Sequence, residues 1–299
     1  MKSSIVLAAV ASLSCITVAV ACSSSSGHSF GNGGDSGTDA STDGTAGDSG
    51  SSSGGPTYAG TMGVAETAAG LFTIAGEFFA APDASATPNM CPGQGTMSGS
   101  CCYEPPLIAS DAGASDAGVA EAGASPFVSA GTIALTDGTS ALANMSPGSN
   151  GAYGISSSDN PSVKWTPGDT LAIAASGAVI DAFTGNLVTV TDFAGLVPAL
   201  SLKTATTVPL ADPLVISWTA STATTVRLLM IAAKSGAISC SVADSAGTLT
   251  VPTALLSKLT TNDTGLISLT RQLVTPATVT NATVQLVSTS TTTGTAKFQ

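Results

Sequence analysis

From Leu71 to Ser290 the chain is written as short runs of β-forming residues separated by turn-forming pairs. No stretch keeps a 3.6-residue apolar period long enough for a sizeable helix. "LFTIAGEFFA" (Leu71–Ala80), "SAGTIALT" (Ser129–Thr136), "TLAIAAS" (Thr170–Ser176), "AVIDAF" (Ala178–Phe183) and "LVTVTDF" (Leu187–Phe193) form a first series. "PLVISWTA" (Pro213–Ala220), "TTVRLLMIAA" (Thr224–Ala233), "GAISCSVAD" (Gly236–Asp244), "GLISLT" (Gly265–Thr270) and "ATVQLVSTS" (Ala282–Ser290) form a second. Pairs such as Asp137-Gly138, Pro147-Gly148 and Ser176-Gly177 punctuate them. Runs of this length between such breakers are the raw material of antiparallel sheets, so the expected class is all-β. The one exception is "PTALLSKL" (Pro252–Leu259), where a proline ahead of three leucines predicts a short helix.

Charge narrows the class of partner. Charged residues make up 9% of the chain, against roughly 25% in ordinary soluble domains. Hydroxyls therefore carry the surface polarity. The net charge is −11, and it is unevenly spread. Tyr58–Leu200 holds twelve acids against Lys164 alone, whereas Ser201–Gln299 holds six bases and three acids. Nucleic acid and anionic head groups are bound by clustered cations, so the acidic half argues against nucleic acid as a partner. The bases of the second half are scattered and form no stripe.

The N-terminus carries an address. Lys2 precedes an apolar run from Ile5 to Val20, sixteen residues interrupted by Ser12, Ser14 and Thr17. That is short of the ~20 residues a membrane-spanning helix needs and has the pattern of a secretory signal. Ala19-Val20-Ala21-Cys22 resembles the lipobox of bacterial lipoproteins. Ala19 departs from the leucine usual at that position, and Cys15 is a competing but poorer match. The resemblance implies cleavage after residue 21 and lipidation of Cys22; ordinary cleavage and secretion is the alternative. Residues 23–57 contain almost no apolar side chains and cannot offset the entropy of ordering. They read as a disordered Ser/Gly/Asp tether (22–57) with an end-to-end distance of roughly 30–35 Å. Ser23, in place of an aspartate after the lipid cysteine, implies by the same resemblance the outer membrane, so the expected location is the cell envelope, anchored by lipid.

A second low-complexity segment, "ASDAGASDAGVAEAGAS" (Ala109–Ser125), repeats Ala-Ser-Asp-Ala-Gly twice and then echoes it. Asp111 and Asp116 lack the dense alternation of oxygen ligands found in calcium loops, so a disordered insertion is expected. With the stretch around Thr204 taken as a boundary, the expected domains are 58–204 and 205–299. In the latter, Trp218 ends an alternating early strand, and strands recur at sandwich spacing. This pattern resembles fibronectin type III and related immunoglobulin-like domains. "ISCSVADSAGTLTVPTALLSKL" (Ile238–Leu259) is similar to a segment of uncharacterised bacterial surface lipoproteins. The resemblance implies a sandwich with Trp218 in its core and implies no activity.

Catalytic chemistry is hard to place. The one histidine, His28, lies in the tether, which removes Ser-His-Asp and Cys-His catalysis and histidine-based zinc sites from the folded region. No phosphate loop, dinucleotide fingerprint or nucleophile elbow is present. Glu66, Glu77, Asp83, Asp169, Asp181 and Asp192 are available for a carboxylate pair of the glycosidase kind, with nothing to choose between them. No catalytic, cofactor-binding or metal-ligating residue is therefore assigned. Cys91, Cys101, Cys102 and Cys240 form an even set in an exported chain and are expected to make two disulfides. Adjacent cysteines seldom bond to each other, so Cys91 should pair with one of Cys101 and Cys102, and Cys240 with the other. On that reading the long bridge ties the two domains, which should unfold together when oxidised and separately when reduced. The expected function is a lipid-anchored binding, presentation or structural module for an envelope or extracellular protein or polymer. The alternative is a carboxylate-dependent hydrolase of such polymers.

Overall fold

The structure is a computed structural model that describes residues 58–67, 70–80, 91, 95–106 and 127–299. The chain divides into Met1–Gly55 and Pro56–Gln299, and every described residue belongs to the second unit. The leader, Cys22, the tether, Asp83 and the Ala109–Ser125 insertion lie outside the described residues.

Among the described residues sixteen strands follow one another. The first eight are β1 (Tyr58–Thr67), β2 (Phe72–Ala80), β3 (Thr96–Ser98), β4 (Cys101–Glu104), β5 (Ile133–Asp137), β6 (Ser140–Met145), β7 (Tyr153–Ser156) and β8 (Thr170–Ala175). Then come β9 (Phe183–Val188), β10 (Thr206–Val208), β11 (Leu214–Ser217), β12 (Thr225–Ala232), β13 (Gly236–Ala243), β14 (Thr248–Val251), β15 (Thr264–Thr278) and β16 (Ala282–Phe298). Among the described residues one short α-helix, α1 (Thr253–Leu256), interrupts them, with Pro252 at its N-cap. The protein is all-β, with sheets packed as sandwiches.

A ten-stranded sheet runs β3-β4-β13-β12-β15-β16-β1-β2-β7, with β10 as the tenth strand, paired to β16 off this path. Strand β16 pairs along one edge with β15 (antiparallel); along the other it meets first β1 and then β10, both parallel. The length of the β15–β16 hairpin explains this arrangement. Its arms are 15 and 17 residues, so β16 extends about 55 Å at the rise of an extended strand. That is long enough to serve two cores in succession. Ala282, Val284 and Leu286 enter one core; Ala296 and Phe298, on the same face further along, enter the other.

The first core is closed by a four-stranded sheet, β6-β5-β8-β9. Met62 and Val64 of β1 and Ile74 and Phe78 of β2 meet Ile133, Leu135, Leu171, Ile173 and Leu187 across it. At Gly60 the β1 backbone passes so close to the Phe78 ring that any Cβ would occupy the ring's space. The second core is closed by β11-β14 and α1. There β12 buries every second residue (Val226, Leu228, Met230, Ala232) against Ile216, Trp218, Leu249, Val251, Leu255 and Leu256. Trp218 is buried in this core and its indole N–H donates to the Asp244 carbonyl at 3.1 Å.

Two expected strands are corrected. Residues 178–182 form a bend entered through Gly177, which adopts φ 87°, and β9 begins only at Phe183. In the run Leu187–Phe193, pairing stops at Val188, and residues 189–193 cross from one core to the other. The boundary expected near Thr204 follows chain order, and the cores do not. The first contains residues 282–286 from the far end of the chain, and the second contains Cys101.

The bridges are Cys91–Cys102 and Cys101–Cys240. In β4 the two adjacent cysteines point to opposite faces, as successive strand residues must. One therefore reaches the local loop, and the other reaches its register partner on β13, since Cys101 stands opposite Cys240.

Asp263, buried before β15, organises the neighbouring turns. It accepts from the Lys234 and Thr264 amides at 2.9 and 2.8 Å and from the Ser235 hydroxyl at 3.2 Å. Burial by itself would raise its pKa. The hydrogen bonds and the Lys234 charge together outweigh burial and lower it. A carboxylate with a depressed folded-state pKa adds stability above its unfolded pKa, and that stability is lost as pH falls through the folded value. Asp263→Asn should therefore lose about 1–3 kcal/mol near neutral pH. Acid melting curves below about pH 4 should show a smaller loss for the variant than for the parent.

Candidate functional site

Between the two cores, on the same face of the sheet, the apolar pattern is broken by a polar seam. In β15 the inward positions read Ile267, Leu269, Arg271, Leu273, with Arg271 where alternation calls for another apolar residue. Its register partners are Val226 on β12 and Ser290 on β16. Arg271 is 1% exposed, and its donors are satisfied from three directions. The Nε atom donates to Asp244 Oδ1 at 2.9 Å, itself a fully buried carboxylate. One terminal nitrogen donates to the carbonyls of Thr191 and Asp192 (3.0 and 2.9 Å), and the other to that of Thr219 (2.6 Å). The Phe193 ring lies 4.4 Å from the guanidinium and meets Trp218 edge-on.

Asp244 is equally occupied. Its second oxygen accepts from the Ser221 amide, and its carbonyl accepts from Trp218 and Gly247. Arg271 thus ties together the turn after β13, the loop after β11 and the crossover 189–193. Hydroxyls of β16 hold that crossover from the other side. Ser288 Oγ accepts from the Val190 amide at 3.0 Å, and Ser290 Oγ donates to Asp192 Oδ1 at 2.6 Å.

Glu66 completes the seam from β1, where it stands opposite Ser290 in the parallel register. It is 9% exposed, and its Oε2 is the one buried side-chain oxygen or nitrogen among the described residues without a hydrogen-bond partner. Burial first, and the charge of Asp192 second, push its pKa above the ordinary value.

Of the six carboxylates considered from sequence, the structure brings together Glu66 and Asp192. Glu77 lies on β2 opposite Thr61, with its side chain on the face away from the cores. Asp169 Oδ2 accepts from the Thr166 amide within its own turn, and Asp181 is exposed. The seam's two central residues, Arg271 and Asp244, were not among the sequence candidates. The signal for Arg271 was in the alternation of β15; for Asp244 there was none, because it sits past the end of β13.

Among the described residues no group of three or more His, Cys, Asp or Glu is placed to hold a metal, and no helix is long and apolar enough to cross a membrane. The seam joins, and its chemistry is that of a fastening: the guanidinium and the hydroxyls are consumed by bonds within the chain.

No protein-family model matches the chain, and no curated protein matches it. Among solved structures, the FN1–FN3 domains of chicken CNTN1 are similar at 9% identity, over 72% of this chain and 77% of that one, with a TM-score of 0.23. A structure concerned with host cell surface retention of a 1.5-MDa bacterial ice-binding adhesin is similar at 13% identity, over 80% of this chain and 64% of that one, with a TM-score of 0.19. Similarity at these scores carries no argument, and the fold is read from the sheets themselves.

Proposed function

We propose that the protein is a lipid-anchored module of the bacterial cell envelope whose Pro56–Gln299 unit binds or presents rather than catalyses. The observation that supports this reading is the shared β15–β16 hairpin, fastened at the seam by Arg271. It makes two sandwiches behave as one stiff body, which is what a module that holds a surface at a distance requires. The lipobox-like residues and the Ser/Gly/Asp sequence of 23–57 supply the anchor and the spacer. Two disulfides suit an oxidising compartment outside the cytoplasm. The partner is an envelope or extracellular protein or polymer.

The hydrolase reading has one observation in its favour, the Glu66–Asp192 pair. Against it, Glu66 is buried beneath the strand register, whereas a general acid has to reach a substrate's leaving group.

The anchor is tested by fractionation. Acyl chains bury about 0.8 kcal/mol per methylene, so the native protein should stay with membranes and take up labelled lipid. Cys22→Ala should lose both properties. Label retained by Cys22→Ala and lost by Cys15→Ala would move the anchor to Cys15. The presentation reading is tested separately, by capture from envelope extracts on the full chain and by assay of polymer hydrolysis. Turnover abolished by Glu66→Gln would replace it with the hydrolase reading.

A further inference from the structure

We propose that Glu66 and Asp192 bind a hard divalent cation of the calcium class, which clamps the first core to the crossover between the cores. Three observations lead there. Glu66 is nine-tenths buried and its Oε2 has no partner, in a fold whose other buried side-chain polar atoms, among the described residues, are all satisfied. A second carboxylate is held beside it rather than left to swing: Ser290, the register neighbour of Glu66, donates to Asp192 Oδ1 at 2.6 Å. Among the described residues no buried base is free to neutralise the pair. Arg271 is the one buried base among the described residues, and its N–H groups go to Asp244 and to three carbonyls. The seam thus holds Glu66, Asp192 and Asp244 against a single guanidinium.

The donors decide the class of ion. The two carboxylates offer oxygen alone, which favours hard cations over zinc or copper. Asp192 is exposed, so water can enter and complete the shell. An irregular, partly hydrated set of oxygens suits calcium, which accepts six to eight ligands in loose geometry, better than magnesium, which demands a near-ideal octahedron. Chain spacing could not show this, because the two carboxylates are far apart in sequence and fewer than three acids take part.

The full chain, treated with chelator and dialysed, is titrated at pH 7.5 with calcium chloride alone. Saturable binding with Kd on the order of 0.1–1 mM is expected, the range of extracellular calcium modules. At 5 mM calcium the melting temperature should rise by about 3–6 °C over sodium chloride of equal ionic strength. Glu66→Gln and Asp192→Asn should each abolish the rise, and Glu77→Gln, remote from the seam, should keep it. The exposed Asp192 provides the deciding variant should Glu66→Gln not fold. No calcium response beyond that of sodium chloride overturns the proposal, and so does a full response in Asp192→Asn. A melting temperature that climbs as pH is lowered from 7.5 to 5, with no response to calcium, also overturns it and makes a proton the partner of Glu66.

Discussion

Arg271→Ala is expected to cost about 3–5 kcal/mol of folding stability, the loss that follows when one member of a buried ion pair is removed. Asp244 would lose its countercharge, and the carbonyls of Thr191, Asp192 and Thr219 would lose their donor together. Native stabilities of single domains are about 5–15 kcal/mol, so the variant should be poorly folded or lie near its melting point at 37 °C. Arg271→Lys is a sharper probe of geometry. An ammonium keeps the charge but cannot reach Asp244 Oδ1 and three carbonyls from one rigid plane. It should recover only part of the loss. The measurement is denaturant unfolding monitored by tryptophan fluorescence, since Trp218 stands against Phe193 and Asp244 in the same cluster. An Arg271→Ala protein within about 1 kcal/mol of the parent would show that the seam contributes no more than a surface ion pair does.

The second large effect belongs to the long disulfide. Cys101 and Cys240 are separated by 139 residues, and closing a loop of that size removes about 5 kcal/mol of denatured-state entropy in the chain-entropy treatment. The local Cys91–Cys102 bridge, with a separation of 11, is worth about 3 kcal/mol on the same basis. The double variant Cys101→Ala/Cys240→Ala should thus lose about 3–5 kcal/mol, and Cys91→Ala/Cys102→Ala less. The form of the transition should differ from what chain order suggests. Two domains joined only by a bridge would separate on reduction, as the sequence reading expects. The β15–β16 hairpin instead passes through both cores, so the reduced protein should still melt in one transition, only at lower temperature. Calorimetry decides the matter. Two resolved transitions after reduction would show that the hairpin does not couple the cores.

The division between what could be read from residues and what could not follows the range of the interactions. Alternation is a local property. It marked β2, β5, β8 and the strands of the second series, with Trp218 as a core residue, because each needs only the apolar side of a pleat to face inward. Proline before leucines likewise marked the short helix, which the structure confines to Thr253–Leu256. The cysteine pairing was narrowed to two choices by the geometry of adjacent residues. Register chose between them, by setting Cys101 opposite Cys240.

Other elements gave no local signal. β1 is "YAGTMGVAET", interrupted by glycines that hold no strand by themselves; it is extended because β2 and β16 pair with it on both sides. Residues 289–298 of β16 are mostly threonine, serine and glycine, and they continue as a strand because β15 runs beside them to the end. The seam is the extreme case. Glu66, Asp192, Asp244, Arg271 and Ser290 are scattered along the chain, and apart from Arg271, which breaks the alternation of β15, none stands out in its own neighbourhood. The sequence by itself determined the all-β class, the core positions of the alternating strands, the even cysteine set and the lack of any histidine in residues 58–299. These depend on residue type and short-range period. Only the tertiary structure decided that the two cores share one hairpin, that β1 joins β16, and that charged groups meet between the cores. Strand partners and buried charge pairs are chosen by pairing energy across long loops, and the entropy of closing a loop rises so slowly with its length that sequence distance favours hardly any partner over another.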